Sequence, residues 1–469
     1  MSPEPVGDLA VILHSHMPYV EGFGTYPFGE EWLFDAVIRS HIPVLEVADR
    51  VTVTVTPVLA DQLEANGVGE RMRAFVREYR VGSCEADAGD VGPDLRDACL
   101  AERDRYAAAL DRLEELGDDL TALFRGPADA GRVELVPSAA THAVLPLIAT
   151  AAVRRVQIDA GVQSHRRRFG EPSGFWLPEC AYENGLDALL DEFGLGWFAT
   201  DQTAAEPPLD ALAPIASPAG PTAMTIDWEA VSWLWSPTGY PSDPGYVDFH
   251  RKTLRGARPW TIGGAPYDPE AGLHAARRDA AEFVSAAAAR LERFRAERGA
   301  PGLLCFAVDT ELLGHWWWEG PAWLEEVQRL APEAGIEMVT GSEAIARHPA
   351  EPRPLRRTTW GEGKDLRTWD SPQVADLTWA ARRLELRLLR AFGEGLDGPA
   401  AERATRELLA AQASDWAFLD RRKQAGDYAY QRAAGHGARM LEAIDSPGRQ
   451  EPRLRNLAPD LSLIPLSRP

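Results

Sequence analysis

Short apolar runs that end in a polar or acidic residue recur along this chain, and no other feature limits its fold as much. Leu303 to Val308 (LLCFAV) has the length of a buried strand, is bounded upstream by Pro301 and Gly302, and delivers Asp309 and Glu311 at its end. Asp8 to Leu13 (DLAVIL) ends in His14-Ser15-His16, and Arg132 to Pro137 (RVELVP) leads to Ser138 and His142. Phe175-Trp176-Leu177 leads to Glu179, and Trp197 to Thr200 leads to Asp201. Parallel strands buried on both faces read as continuous apolar runs, and α/β barrels carry their reacting groups where such strands end. A helical pattern from Trp32 (WLFDAVIRSHIPVLEVAD) before a second strand at Val51 to Val58 supplies the rhythm of a βαβ unit. The expected fold is therefore α/β, a distorted TIM-like barrel.

Other stretches are additions to that barrel. A charged, helix-spaced segment around Gly92 to Arg125 predicts an inserted helical subdomain over residues 88–130. From Ser371 to about Ile444 helical spacing dominates, with a break near Glu394 to Gly398, so residues 371–469 are expected to form a separate C-terminal helical domain and a proline-rich tail after a catalytic barrel over 1–370. A length of 469 residues accommodates all three. Trp228 to Trp260 is rich in Trp, Tyr, Gly and Pro without a clear period, which predicts a long aromatic loop suited to stacking on sugar rings.

Composition narrows the partners. A net charge of −22 disfavours nucleic acid and anionic membranes, both of which call for a basic face. No run of about 18 uncharged apolar residues is long enough to span a bilayer. The N-terminus lacks a basic segment before its apolar run, so the cytoplasm is the expected location. Cys84, Cys99, Cys180 and Cys305 have no CxxC spacing and are expected to be reduced. His14 and His16 face the same way on an extended chain, as a metal pair or as two donors to a polar ligand; the absence of a recognisable ligand motif favours the donors. No metal or other cofactor is expected.

Glu179 and Asp309 are the sharpest acidic pair, each at a strand end and each beside tryptophan. Paired carboxylates suit glycosyl transfer: in a retaining reaction, one attacks the anomeric carbon and the other protonates the leaving oxygen from about 5–5.5 Å away. Strand alternation places Asp309 and Glu311 on one face, so position alone leaves both open as the second carboxylate. In the corner His315-Trp316-Trp317-Trp318, at least one tryptophan is expected beneath His315 as support and another facing the substrate.

The ordered motifs HSHMPY, VELVPSAATHAVLPL, FWLPECAY, FAVDTELLGHWWWEG and TTWGEG with SDWAFL resemble glycoside hydrolase family 57, and within it the α-1,4-glucan branching group. The resemblance covers most of the chain. It implies a (β/α)7 barrel, a metal-free retaining double displacement, Glu179 as nucleophile and Asp309 as acid/base. It further implies that His14, His16 and His142 hold sugar hydroxyls and that Trp32, Trp260, Trp360, Trp369 and Trp416 form an aromatic glucan wall. Tyr240 falls where such enzymes carry a loop that shields the intermediate from water, and His315 joins the substrate-binding set. The implied partner is an α-1,4-glucan such as amylose or glycogen, bound by a monomer or small homo-oligomer. An α-amylase or a 4-α-glucanotransferase would share both carboxylates; a non-catalytic glucan-binding protein or a metal-dependent deacetylase stands further off.

Overall fold

The computed structural model describes residues 5–204 and 207–467. Its centre is a ring of parallel strands: β1 (Gly7–Ser15), β2 (Val51–Val55), β3 (Val133–Val136), β4 (Gly174–Trp176), β5 (Trp197–Thr200), β7 (Thr222–Thr225) and β8 (Gly302–Asp309). β6 (Ile215–Ala216) lies antiparallel on β7, outside the ring. β1 pairs with β2 along Ile12 to Ser15 and with β8 along its whole length, so that His14 sits opposite Asp309. Single bridges close the two remaining gaps, Ser138 to Trp176 between β3 and β4 and Ile226 to Cys305 between β7 and β8. The result is the (β/α)7 barrel. β9 (Ile336–Val339) takes the N-terminal half of the β1 edge that β2 leaves free, and β10 (Glu351–Pro352) extends β6.

The apolar runs explain the ring. Leu9 to Leu13 and Leu303 to Val308 are at most 2% exposed, because sheet neighbours satisfy their backbone while both faces meet hydrophobic side chains. The second strand is shorter than the sequence reading: Pro57 begins the helix Pro57–Leu63, since proline fits a first helical turn better than a strand ladder.

The insertion between β2 and β3 is a helical hairpin. Its first arm runs from Val68 to Asp90 through a π-helical segment, and its second is Pro93–Leu116. The arm beginning at Val68 lies before the expected start at residue 88, because Val68, Met72, Phe75 and Val76 bury a face of their own. The C-terminal helices are Ala375–Gly393, Gly398–Ala411, Ser414–Arg422 and Tyr428–Asp445. Besides a small cluster of their own around Ala413, Trp416 and Ala429, they share a core with the barrel. Leu388, Leu408, Leu409 and Met440 share one hydrophobic cluster with Phe175, Leu177 and Phe198 of the barrel. The tail is docked as well: Asp61 accepts the Ala458 N–H at 2.8 Å, and Leu454 and Leu457 are buried.

Candidate active site

The ends of β1, β3, β4 and β8 converge on a cavity of about 610 Å³. His14, His16, His142, Glu179, Asp309, Glu311, Trp360, Trp369 and Asp415 line it. Glu179 follows β4 with φ 60 and ψ 22, and Cys180 and His142 also have positive φ. Left-handed backbone is strained for residues other than glycine, and strain of this kind gathers where a site must hold a side chain in one direction. The Trp360 indole N–H donates to Glu179 Oε2 at 2.8 Å, and the Trp360 main-chain N–H donates to the Glu179 carbonyl at 3.0 Å. His142 Nδ1 lies 3.6 Å from Glu179 Oε1 and 2.9 Å from Ser414 Oγ.

The two carboxylates are separated chemically. Burial pushes Glu179 up to about 6, against hydrogen bonds from Trp360 and Ser414 that favour its ionised form. Burial, then Glu311 and Glu179, push Asp309 up to about 8, with His16 opposing. Near neutral pH the first is mostly a carboxylate and the second mostly an acid, the split that a nucleophile and a proton donor require.

The histidines form a stack. Ring centroids lie 4.7 Å apart for His14 and His142 and 4.2 Å apart for His16 and His142, and Trp176 backs His14 at 4.7 Å. His16 Nδ1 meets Thr56 Oγ1 at 3.1 Å and its Nε2 meets Asp415 at 3.0 Å. Burial works against a charge on His16, but Asp415, Glu311 and Glu179 outweigh it and the net shift is upward. Burial, then neighbouring histidines, hold His14 and His142 well below the usual range, so both stay neutral. Both ring nitrogens of His14 and Nε2 of His142 are buried without a hydrogen-bond partner among the described residues. Buried polar atoms are seldom left so, and hydroxyl groups of a bound sugar would satisfy them.

Other sequence-derived candidates lie elsewhere. Trp416 is 1% exposed, donates to the Ala410 carbonyl at 2.7 Å and packs among Tyr428, His436 and Arg432; it is a core residue, and its sequence neighbours Ser414 and Asp415 reach the site instead. Trp369 borders the cavity but is 2% exposed. Trp32 is half-buried against Phe28 and Tyr428, Trp260 lies beneath Arg251, and Tyr240 packs on the barrel core; none lines the cavity. His315 also stands outside the lining, edge-on to Trp316 and close to Phe249. Of the three tryptophans, Trp316 faces the cavity and is half exposed, whereas Trp317 and Trp318 are buried against Trp323 and Tyr106. Phe249, not a buried tryptophan, supports His315.

Trp228 and Trp235 were hidden in the aromatic segment, where a short helix, Trp228–Leu234, begins at Asp227. The signal was present: Asp227 is an N-cap whose side chain accepts from Ala230 at 3.1 Å. Lys364 pairs with the buried Asp201 at 2.5 Å and lies over Trp228 at 2.9 Å, tying the Trp360 loop to the end of β5. Gly314, with φ +92, turns the tryptophan corner against Arg39, whose carbonyl oxygen a Cβ would meet at 2.1 Å.

A barrel that presents two carboxylates of unequal proton affinity in a tryptophan-lined cleft holds the groups that an enzyme acting on glycosidic bonds requires. Comparison with known families agrees. Residues 10–354 match the model described as glycosyl hydrolase family 57, and the chain belongs to that family. Residues 377–459 match the model described as the C-terminal region of 1,4-alpha-glucan branching enzymes. A Mycobacterium tuberculosis protein described as a probable 1,4-alpha-glucan branching enzyme is 33% identical over 502 residues, covering 96% of this chain and 94% of the relative. The crystal structure of a branching enzyme of this family from Pyrococcus horikoshii superimposes with a TM-score of 0.90 at 28% identity, covering 98% of this chain and 97% of that one. The alpha-amylase AmyC of Thermotoga maritima shares the fold, with a TM-score of 0.86 at 24% identity over 99% of each chain.

Proposed function

We propose that this protein is a 1,4-alpha-glucan branching enzyme in which Glu179 is the nucleophile and Asp309 the acid/base. Glu179 attacks the anomeric carbon of an α-1,4-linked glucan while Asp309 passes its proton to the departing 4-oxygen. Asp309, now a carboxylate, then removes the proton from the 6-hydroxyl of an acceptor chain, which displaces Glu179 and closes an α-1,6 branch. His14 and His142 hold hydroxyls of the sugar at the reacting position, and Trp316 and Trp360 flank the glucan. The observation that carries this reading is the contrast between the two acids: Glu179 keeps two hydrogen-bond donors, while Asp309 faces two other carboxylates.

The protein works in the cytoplasm as a monomer or small homo-oligomer. Among the described residues no helix is long and apolar enough to cross a membrane, in keeping with that location. Incubating the protein with amylose, debranching the product and sizing the chains tests the activity. New α-1,6 linkages with little reducing sugar are expected. Growing reducing ends without such linkages would make the protein a hydrolase, and redistributed α-1,4 chains without branches a 4-α-glucanotransferase.

A further inference from the structure

Beyond the proposed catalytic pair, three further acids line the cavity, Glu311, Glu362 and Asp415, and Glu311 is the one on the same strand end as Asp309. Glu311 lies in the tight turn Thr310–Leu312 that follows β8. Its Oε1 accepts the His41 ring N–H at 2.6 Å and the His16 main-chain N–H at 3.3 Å. The turn itself is fastened: Thr310 Oγ1 lies 2.8 Å from Ser15 Oγ, and the Thr310 carbonyl accepts from Ser40 Oγ at 2.7 Å. Ser40 and His41 belong to a π-helical segment, Val37–His41, an element that adds a residue to a helical turn and is frequent at functional sites. A fully buried histidine thus reaches from that segment to fix one oxygen of Glu311, whose side chain is only 12% exposed.

The charged and titratable groups around Asp309 come from every neighbouring strand end. Glu311 stands on its own turn, Glu179 follows β4, His16 follows β1, and neutral His14 lies opposite on β1. Asp415, from the C-terminal helices, faces His16 and Glu179. After burial, Glu311 is the largest influence that raises Asp309.

We propose that Glu311 is a positioning residue that keeps the proton on Asp309 until the leaving glucan takes it, and that His41 holds it in place for that task. The proposal rests on Asp309 being the acid/base. A fixed negative neighbour disfavours a second carboxylate beside it. The same neighbour makes Asp309, once deprotonated, a stronger base toward the acceptor hydroxyl, so one charge serves both half-reactions.

The test is the pH profile of kcat/KM on amylose for the full-length protein and its E311Q and E311D variants. E311Q keeps the shape of the side chain and removes its charge. Its alkaline limb is expected to move down by about one pH unit or more, the acidic limb to stay within a few tenths, and E311D to recover most of the shift. A uniform drop in rate with both limbs where the wild type has them would overturn the proposal and leave Glu311 a merely structural residue. Failure of the underlying assignment shows separately in D309A. With Asp309 as acid, that variant loses amylose cleavage but retains glycosylation by maltosyl fluoride, whose leaving group needs no proton. Equal loss on both donors would remove Asp309 from the role and the proposal with it.

Discussion

Glu179 is held in left-handed backbone by what surrounds it: its carbonyl is bonded to the Trp360 main chain and its carboxylate to the Trp360 ring. E179Q is expected to lose turnover by roughly 10³-fold or more while still retaining glucan in an affinity gel, because the amide preserves the contact with Trp360 but cannot form the ester. The pH dependence follows from the two acids. In the proposed roles Glu179 must be ionised and Asp309 protonated, so kcat/KM on amylose should rise through about pH 6 and fall through about pH 8. Stability runs the other way. The folded-state pKa of Asp309 lies above the ordinary aspartate value of 3.8, so the folded protein retains a proton that the unfolded chain releases, and stability is lost as pH rises from about 4 to about 8. D309N, which has no proton to release, should melt higher than the wild type at pH 8, with the difference vanishing near pH 4. Equal melting temperatures at pH 8 would contradict the burial assigned to this acid. Both carboxylates were legible in the sequence because each ends an apolar run and carries a family motif. The pairing of His16 with Asp415 was not, since 399 residues separate them and only tertiary packing brings them together.

At the scale of elements, the loop from Thr359 to Lys364 bears the indole that serves Glu179, and Lys364 ties its far end to Asp201. Asp201 is fully buried, so removing its partner leaves an uncompensated charge. K364M is expected to cost about 3 kcal/mol in urea unfolding and to lower kcat more than it raises KM. A variant with wild-type stability would show that Asp201 finds another partner. The strands and long helices were readable from apolar spacing alone, as in Leu9 to Leu13 and in the helix Pro93–Leu116. The short helix at Trp228 and the π-helical turn at His41 were not, because the first spans only seven residues and the second depends on contacts with the strand-end turn.

For the whole molecule, the aromatic wall was the least legible part. A tryptophan gives the same sequence signal whether it faces a ligand or fills a core, and here Trp416 and Trp317 fill cores while Trp316 and Trp235 face outward. Replacing Trp316 by alanine should raise KM for amylose several-fold with little change in melting temperature, whereas Trp416→Ala should destabilise the protein by about 3–5 kcal/mol. The opposite pattern would reverse the two assignments.

The shared core between the barrel and the C-terminal helices also bears on how such a gene can be cut and joined. Asp415 lines the candidate cleft and Ser414 bonds to His142 there, while Leu388, Leu408 and Leu409 close the hydrophobic cluster around Phe175 and Phe198. The last hundred or so residues are therefore not a cassette that recombination or protein engineering can exchange for an unrelated module. A fragment ending at residue 370 should be insoluble when expressed alone, and co-expressing residues 371–469 as a second polypeptide should restore a soluble, active pair.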